Sequence, residues 1–234
     1  MAITLRDARR GDELAVAELH VRSWQEAYRE LMPAEFLAAL DPWERAQRYE
    51  FEGREEAPRT VVAVVLGEEG TGGGLSTTRG EEGIGDGLPT TRGEEGTGDD
   101  PSLTNSVEVR SGSSPAPSDR AEGGSPGGGP TEAVVGFATF GPSRDADAAG
   151  LGEIYALYVD PESYGGGTGR LLMAEARLRL REAGMNEAIL WVLRGNKRAQ
   201  RFYEREGWKP DGATRLEQPY GIVSNVARFR RPLD

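Results

Sequence analysis

The chain has 234 residues, room for one or two domains, and carries 39 acidic against 28 basic side chains, a formal charge of −11 with a pI near 4.8. It has no cysteine and a single histidine, His20, which excludes disulfides, thiolate metal sites, a covalent cysteine intermediate and any multi-histidine metal centre. The acid excess is local: residues 67–131 hold 18 of the 33 glycines and 12 acidic residues against 4 arginines, so the other 169 residues, with 24 basic and 27 acidic groups, offer no basic surplus to a nucleic acid.

No apolar run is long enough to span a membrane and the N-terminal stretch lacks an apolar signal core, so a cytoplasmic protein is expected. Ile3 to Arg6 reads as a short strand, followed by Gly11-Asp12 as a turn with an aspartate N-cap. Leu14, Ala17, Val21, Trp24, Tyr28 and Leu31 then recur at helical spacing and predict one apolar stripe facing a core, with Pro33 ending the helix. Shorter helical pieces follow around Phe36, Leu37 and Leu40, and around Trp43, Ala46 and Tyr49. The β-branched run from Thr60 to Leu66 predicts a strand buried on both faces.

Periodicity then stops. The segment from Gly74 to Gly83 returns thirteen residues later as Gly87 to Gly96, and one leucine per unit gives a stacked repeat nothing to bury. Residues 67–131 therefore read as a disordered, acidic, Gly-rich insertion between two neighbouring strands, with a partner-binding tail as the functional alternative.

Order resumes with strands from Ala133 to Phe140 and from Gly152 to Val159, antiparallel neighbours joined by a short polar turn. After Asp160-Pro161 comes a glycine turn, Tyr164-Gly165-Gly166-Gly167-Thr168-Gly169-Arg170, and then a helix with Leu172, Ala176, Leu180 and Ala183 as its buried stripe and Gly184 as its C-terminal cap. Glu187 to Leu193 is another strand. Asn196 caps a helix carrying Ala199, Phe202 and Tyr203 that stops at Gly207-Trp208, and residues 214–232 have room for two strands around Gly221, with Val223, Val226 and Phe229 inward.

The fold class is α/β: a mixed sheet of about seven strands flanked by helices. The strand–glycine turn–helix can present bare N–H groups to a phosphate. It is not a dinucleotide fingerprint, because Gly165, Gly167 and Gly169 are spaced by two, where the pattern needs a spacing of two and then three. It is not a nucleotide-triphosphatase loop, because Gly169-Arg170-Leu171 lacks the Gly-Lys-Ser/Thr end.

Three segments taken in order carry a resemblance: Leu157-Tyr158-Val159 with the glycine turn; Leu190-Trp191-Val192-Leu193 with Asn196; and Arg201-Phe202-Tyr203-Glu204-Arg205-Glu206-Gly207-Trp208. Together they resemble the GNAT superfamily of acetyl-CoA-dependent N-acetyltransferases over residues 1–66 and 132–234. The resemblance implies a single GNAT-like domain whose cofactor-binding residues are Leu157, Tyr158, Val159, Tyr164, Gly165, Gly166, Gly167, Thr168, Gly169, Arg170, Asn196 and Tyr203.

In that family the phosphate loop usually begins with Arg or Gln. Here Tyr164 takes that place, and Arg170 or a nearby arginine is the candidate to replace the charge. The resemblance further implies a backbone N–H at or near Val159 that polarises the thioester carbonyl, with Tyr203 as the acid that protonates the leaving sulfur. Glu153 is the candidate base, or else a solvated strand-end glutamate. Asn196 reads as helix cap, as contact to the pantetheine arm, or both. Trp24 and Tyr28 are the expected acceptor-side residues.

The implied reaction moves an acetyl group from acetyl-CoA to a primary amine, on a small molecule or a peptide, by direct attack in a ternary complex. No metal, nucleic-acid or membrane partner is expected, and the protein is a monomer or homodimer. The alternative is a non-catalytic acyl-CoA-binding or sensing module.

Overall fold

The computed structural model describes residues 2–51, 58–67, 132–218 and 221–233. From residue 68 on, the expected insertion lies outside the described residues.

The elements run β1 (Ile3–Asp7), α1 (Glu13–Ala27), α2 (Ala34–Ala38), α3 (Pro42–Ala46), β2 (Arg59–Leu66), β3 (Glu132–Pro142), β4 (Gly152–Val159), α4 (Thr168–Glu182), β5 (Glu187–Leu193), α5 (Lys197–Arg205), β6 (Lys209–Glu217) and β7 (Ser224–Pro232). The seven strands form one sheet in the order β1-β2-β3-β4-β5-β7-β6. Every neighbouring pair is antiparallel except β4 and β5. Leu66 and Glu132 are register partners, so the chain leaves β2 and re-enters at β3 at one point on the sheet.

The run Val61 to Val64 is at most 1% exposed, and its residues divide by parity. Val61 and Ala63 pack with Leu172, Met173, Ala176 and Leu180 of α4, while Val62 and Val64 pack with Val16, Leu19 and Trp24 of α1. This is the two-sided burial that the β-branched run predicts. Residues Ala199, Phe202 and Tyr203 of α5 join the α4 side.

Two helices bury the middle of the expected stripe, with Ala17, Val21 and Trp24 in α1 and Leu172, Ala176 and Leu180 in α4, and depart from it at the ends. In α1 the buried residues are Val16, Ala17, Leu19, His20, Val21, Ser23 and Trp24, whereas Leu14 and Leu31 are exposed; the helix ends at Ala27, so Leu31 falls outside its period. In α4, Met173 is buried and Ala183 is exposed, because the helix C-cap falls at Ala183 and turns it from the core. Val223 is exposed because it precedes β7, and strand alternation begins only at Ser224.

The feature that shapes the site is the parallel pair. Pairing of β4 with β5 covers only Gly152, Glu153 and Ile154 against Ala188, Ile189 and Leu190, after which the strands part. The opposite edge of β4 carries a bulge there: Thr139 partners Ala156 and Phe140 partners Ile154, leaving Tyr155 as the extra residue.

Candidate active site

The parted strands open into a cavity of about 1070 Å³, lined from β4 by Glu153 through Val159, from β5 by Trp191, Val192 and Leu193, and from the glycine turn and α5. Asp160 N–H donates to Val135 O, which makes that residue pair the hydrogen-bonded kind. By alternation, the amides of Leu157 and Val159 point away from β3, into the gap. Two donors thus face a space that no strand fills.

At the end of β4 the turn is built for an anion. Asp160 ends the strand, accepts Glu162 N–H on its side chain, and is anchored by Arg22 Nη2 at 2.5 Å. Gly165 and Gly167 have φ of 82° and 87°, a region that side chains rarely occupy, and Gly167 is the N-cap of α4. No side chain caps α4 and no acidic residue stands in its first turn. The amides of Gly165, Gly167, Thr168, Gly169 and Arg170 have no backbone acceptor among the described residues. The positive end of the helix dipole lies behind them.

Tyr164 and Arg170, named from the sequence, both line the cavity; Arg170 is 75% exposed and its Nε donates to Glu206 at 3.1 Å, which draws it toward that carboxylate. Asn196 caps α5, accepting Ala199 N–H at 3.0 Å, and also lines the cavity, so its two readings are compatible.

Tyr203 reaches the cavity from α5, packed edge-on against Phe202, and its hydroxyl makes no hydrogen bond among the described residues. Burial first, and the Tyr158 phenol second, push its pKa above the ordinary value of 10. It remains protonated throughout the neutral range.

On the other wall, Trp24 Nε1 donates to Tyr158 OH at 2.9 Å, and Tyr158 is hydrogen-bonded in turn to Tyr28. All three line the cavity, but Trp24 is 3% exposed and its donor is spent on Tyr158, so it supports the wall, while burial pushes Tyr28 up to about 12. Leu31, just beyond, spans to the β5–α5 turn, where a Cβ added at Gly195 would lie 2.5 Å from Leu31 Cδ2. A larger residue at that position would push the end of the Leu31 side chain aside.

Glu153 lines the cavity at 1% exposure, and its carboxylate accepts the Arg144 backbone N–H at 3.0 Å and Arg144 Nη2 at 2.8 Å. It is therefore an ion-paired group and not a solvated strand end. A second carboxylate, Glu217 of β6, also lines the cavity and is 6% exposed. Burial raises its pKa, the 2.7 Å contact from Arg215 Nε lowers it, and repulsion from Glu153 adds to the rise.

Trp191 holds this end in place: its Nε1 donates to Asp145 at 2.9 Å and the Arg215 guanidinium lies 4.0 Å over its ring. Sequence reasoning does not reach Glu217 or Arg215, because they approach β4 only through the return of β6 alongside β7. The one available signal is a charged pair in an otherwise strand-like C-terminal stretch. No group of three or more His, Asp or Glu able to hold a metal occurs among the described residues, and none of their helices is long and apolar enough to cross a membrane.

The model of the acetyltransferase (GNAT) family matches residues 116–208, a span that contains β4, the glycine turn, β5 and α5. Over that span, about two fifths of the chain, the sequence is similar to the GNAT family. Similar proteins include the uncharacterized N-acetyltransferase YuaI of Bacillus subtilis, 23% identical over 83% of this chain and 73% of that protein. The mycothiol acetyltransferase of Kocuria rhizophila is 41% identical over 63 residues, 27% of this chain. The match spans about a fifth of the length of such mycothiol acetyltransferases. Among solved structures, the PaiA N-acetyltransferase of Thermoplasma acidophilum in complex with coenzyme A aligns over 99% of both chains with a TM-score of 0.52 at 15% identity, a likeness of fold.

Proposed function

We propose that this protein is a member of the GNAT superfamily and transfers an acetyl group from acetyl-CoA to a primary amine by direct attack in a ternary complex. The observation that carries the reading is the gap between β4 and β5, which joins an uncapped glycine turn at one end to a buried carboxylate pair at the other. A donor with a diphosphate, a long flexible arm and a reactive terminus fits that order of groups. The coenzyme A complex of the Thermoplasma relative supports the choice.

The chain's residues divide the work. The turn amides and the start of α4 hold the diphosphate, and Leu157 and Val159 offer N–H groups to the arm and to the thioester oxygen as it gains charge. The amine nitrogen forms the new C–N bond as the C–S bond breaks, and Tyr203 O–H donates to the departing sulfur. The amine's proton passes to the carboxylate pair of Glu153 and Glu217. Glu217 is the candidate base because burial opposes its ionisation, whereas Arg144 holds Glu153 with two donors. Tyr28 borders the acceptor, which we take to be a small-molecule amine, consistent with the matches to mycothiol acetyltransferases.

Titrating acetyl-CoA by calorimetry and following thiol release over a panel of small amines and peptide N-termini tests the reading. Binding with turnover on a small amine is expected. Binding without turnover on any acceptor would instead make the protein an acyl-CoA-binding module, and no binding would overturn both readings.

A further inference from the structure

The glycine turn has Tyr164 where the resemblance would place a basic residue, and Arg170, 75% exposed, is drawn toward Glu206. Another cation stands at the same place. Arg198, in the first turn of α5, lies with its guanidinium carbon 3.3 Å over the centre of the Tyr164 ring. Both side chains line the cavity together with Gly165, Gly167 and Gly169, and Arg198 forms no ion pair among the described residues.

The geometry matters because a guanidinium has two distinct surfaces. Its face stacks on an aromatic ring, and its rim carries five N–H donors in a fixed fork suited to phosphate oxygens. Stacking on Tyr164 occupies the face and leaves the rim available. A cation–π contact is modest when exposed, but it selects one orientation of a long side chain that would otherwise sample many. Tyr164 is thus a platform that keeps an arginine from a different helix at the mouth of the turn.

We propose that Arg198, oriented by Tyr164, is the cationic ligand of the donor's diphosphate, moved from the loop to α5. This assignment rests on the acyl-CoA reading above. The N-terminal region of α4 supplies neutral amides, and Arg198 supplies the full charge they lack.

The test is calorimetric titration of the full chain with coenzyme A, 3′-dephospho-coenzyme A and pantetheine. Arg198→Gln is expected to weaken binding of both phosphate-bearing ligands about tenfold, about 1.4 kcal/mol, and to leave pantetheine unaffected. Tyr164→Leu removes the platform and is expected to weaken coenzyme A about threefold. Tyr164→Arg combined with Arg198→Gln restores the usual position of the charge and is expected to bring affinity back to within about threefold of the unmodified protein.

Unchanged coenzyme A binding in Arg198→Gln would overturn the proposal. An effect seen with coenzyme A but absent with the dephospho form would overturn the assignment to the diphosphate, as would failure of the double variant to recover. If the unmodified protein bound no coenzyme A at all, the acyl-CoA reading itself would fall, an outcome distinct from these. Arg198 is exposed, and equal melting temperatures would show that the substitution acts at the ligand and not on the fold.

Discussion

Replacing Tyr203 by Phe removes one oxygen from the cavity wall and leaves the ring. The ring keeps its contacts with Phe202, 5.4 Å between centroids, and with Phe229, 6.4 Å. Since the hydroxyl has no partner among the described residues, its loss orphans nothing, and stability is expected to change by less than about 0.5 kcal/mol. A positioned general acid contributes roughly 10²- to 10⁴-fold. The raised pKa of Tyr203 places its effect at the low end of that range, because a phenol above 10 gives up its proton reluctantly to a thiolate of a thiol near 8.5. A gap of at least 1.5 units makes complete transfer uphill by about 2 kcal/mol, so the phenol acts chiefly as a donor to the sulfur as it gains charge. The expected result, by spectrophotometric thiol release at saturating acetyl-CoA, is a fall in kcat of about 100-fold. The Kd for coenzyme A should stay within about twofold. Since the active form is the protonated one, Tyr203 should impose no loss of rate up to about pH 10. A variant with at least half the original kcat would refute the reasoning and remove Tyr203 from the chemistry.

Three further outcomes are expected. Glu217→Gln should lower kcat about tenfold or more. It should also shift the acid limb of kcat/KM to lower pH, since the rate requires the ionised carboxylate of a group whose pKa is raised; an unmoved limb would take Glu217 out of proton transfer.

His20 is buried against Arg45 and Tyr49, and burial first, Arg45 second, hold its pKa well below 6.5. Below about pH 6.5 the unfolded chain gains a proton that the native state refuses, so stability is complete above that pH and falls on acidification by up to about 1.4 kcal/mol per pH unit. Glu217, raised from 4.5, works in the opposite sense over its own interval, and comparing urea melts of the parent and His20→Gln at pH 7 and 5.5 isolates the histidine. Equal slopes would refute the assignment.

Joining residues 67 and 132 through a four-residue turn in place of 68–131 should keep coenzyme A binding and raise stability by up to about 2.5 kcal/mol from loop closure, since Leu66 and Glu132 are already partners. Insolubility of the shortened chain would show that the removed residues pack on the domain.

The parts of the site legible in the sequence are those whose physics is local. Gly165 and Gly167 mark a backbone that L side chains avoid, Asn196 caps the helix that follows it, and the run through Val61 to Val64 shows by composition that both its faces are covered. The parting of β4 from β5 is not local. It depends on a bulge at Tyr155 and on where pairing stops, and neither changes the hydrophobic pattern of Gly152 to Val159. Glu217 and Arg198 were hidden for a related reason: each acts beside residues that are 64 and 34 positions away, Glu153 and Tyr164, and only the completed sheet and helix bring them together. Helix α1 shows the limit of periodicity itself, since Leu14 fits the expected stripe by spacing yet lies outside the arc that the sheet covers.

The reach of Leu31 across to Gly195 has a kinetic meaning. The contact that spans that side of the cavity is made by a single leucine side chain, 38% exposed, in the segment between α1 and α2. Rotamer changes of exposed side chains take picoseconds to nanoseconds, whereas lid movements take microseconds to milliseconds and often limit turnover. Movement of the Leu31 side chain is therefore expected to be far faster than a typical catalytic cycle of roughly 1–10³ per second. Under the proposed reaction, Leu31 would be a filter of width with no hold on time.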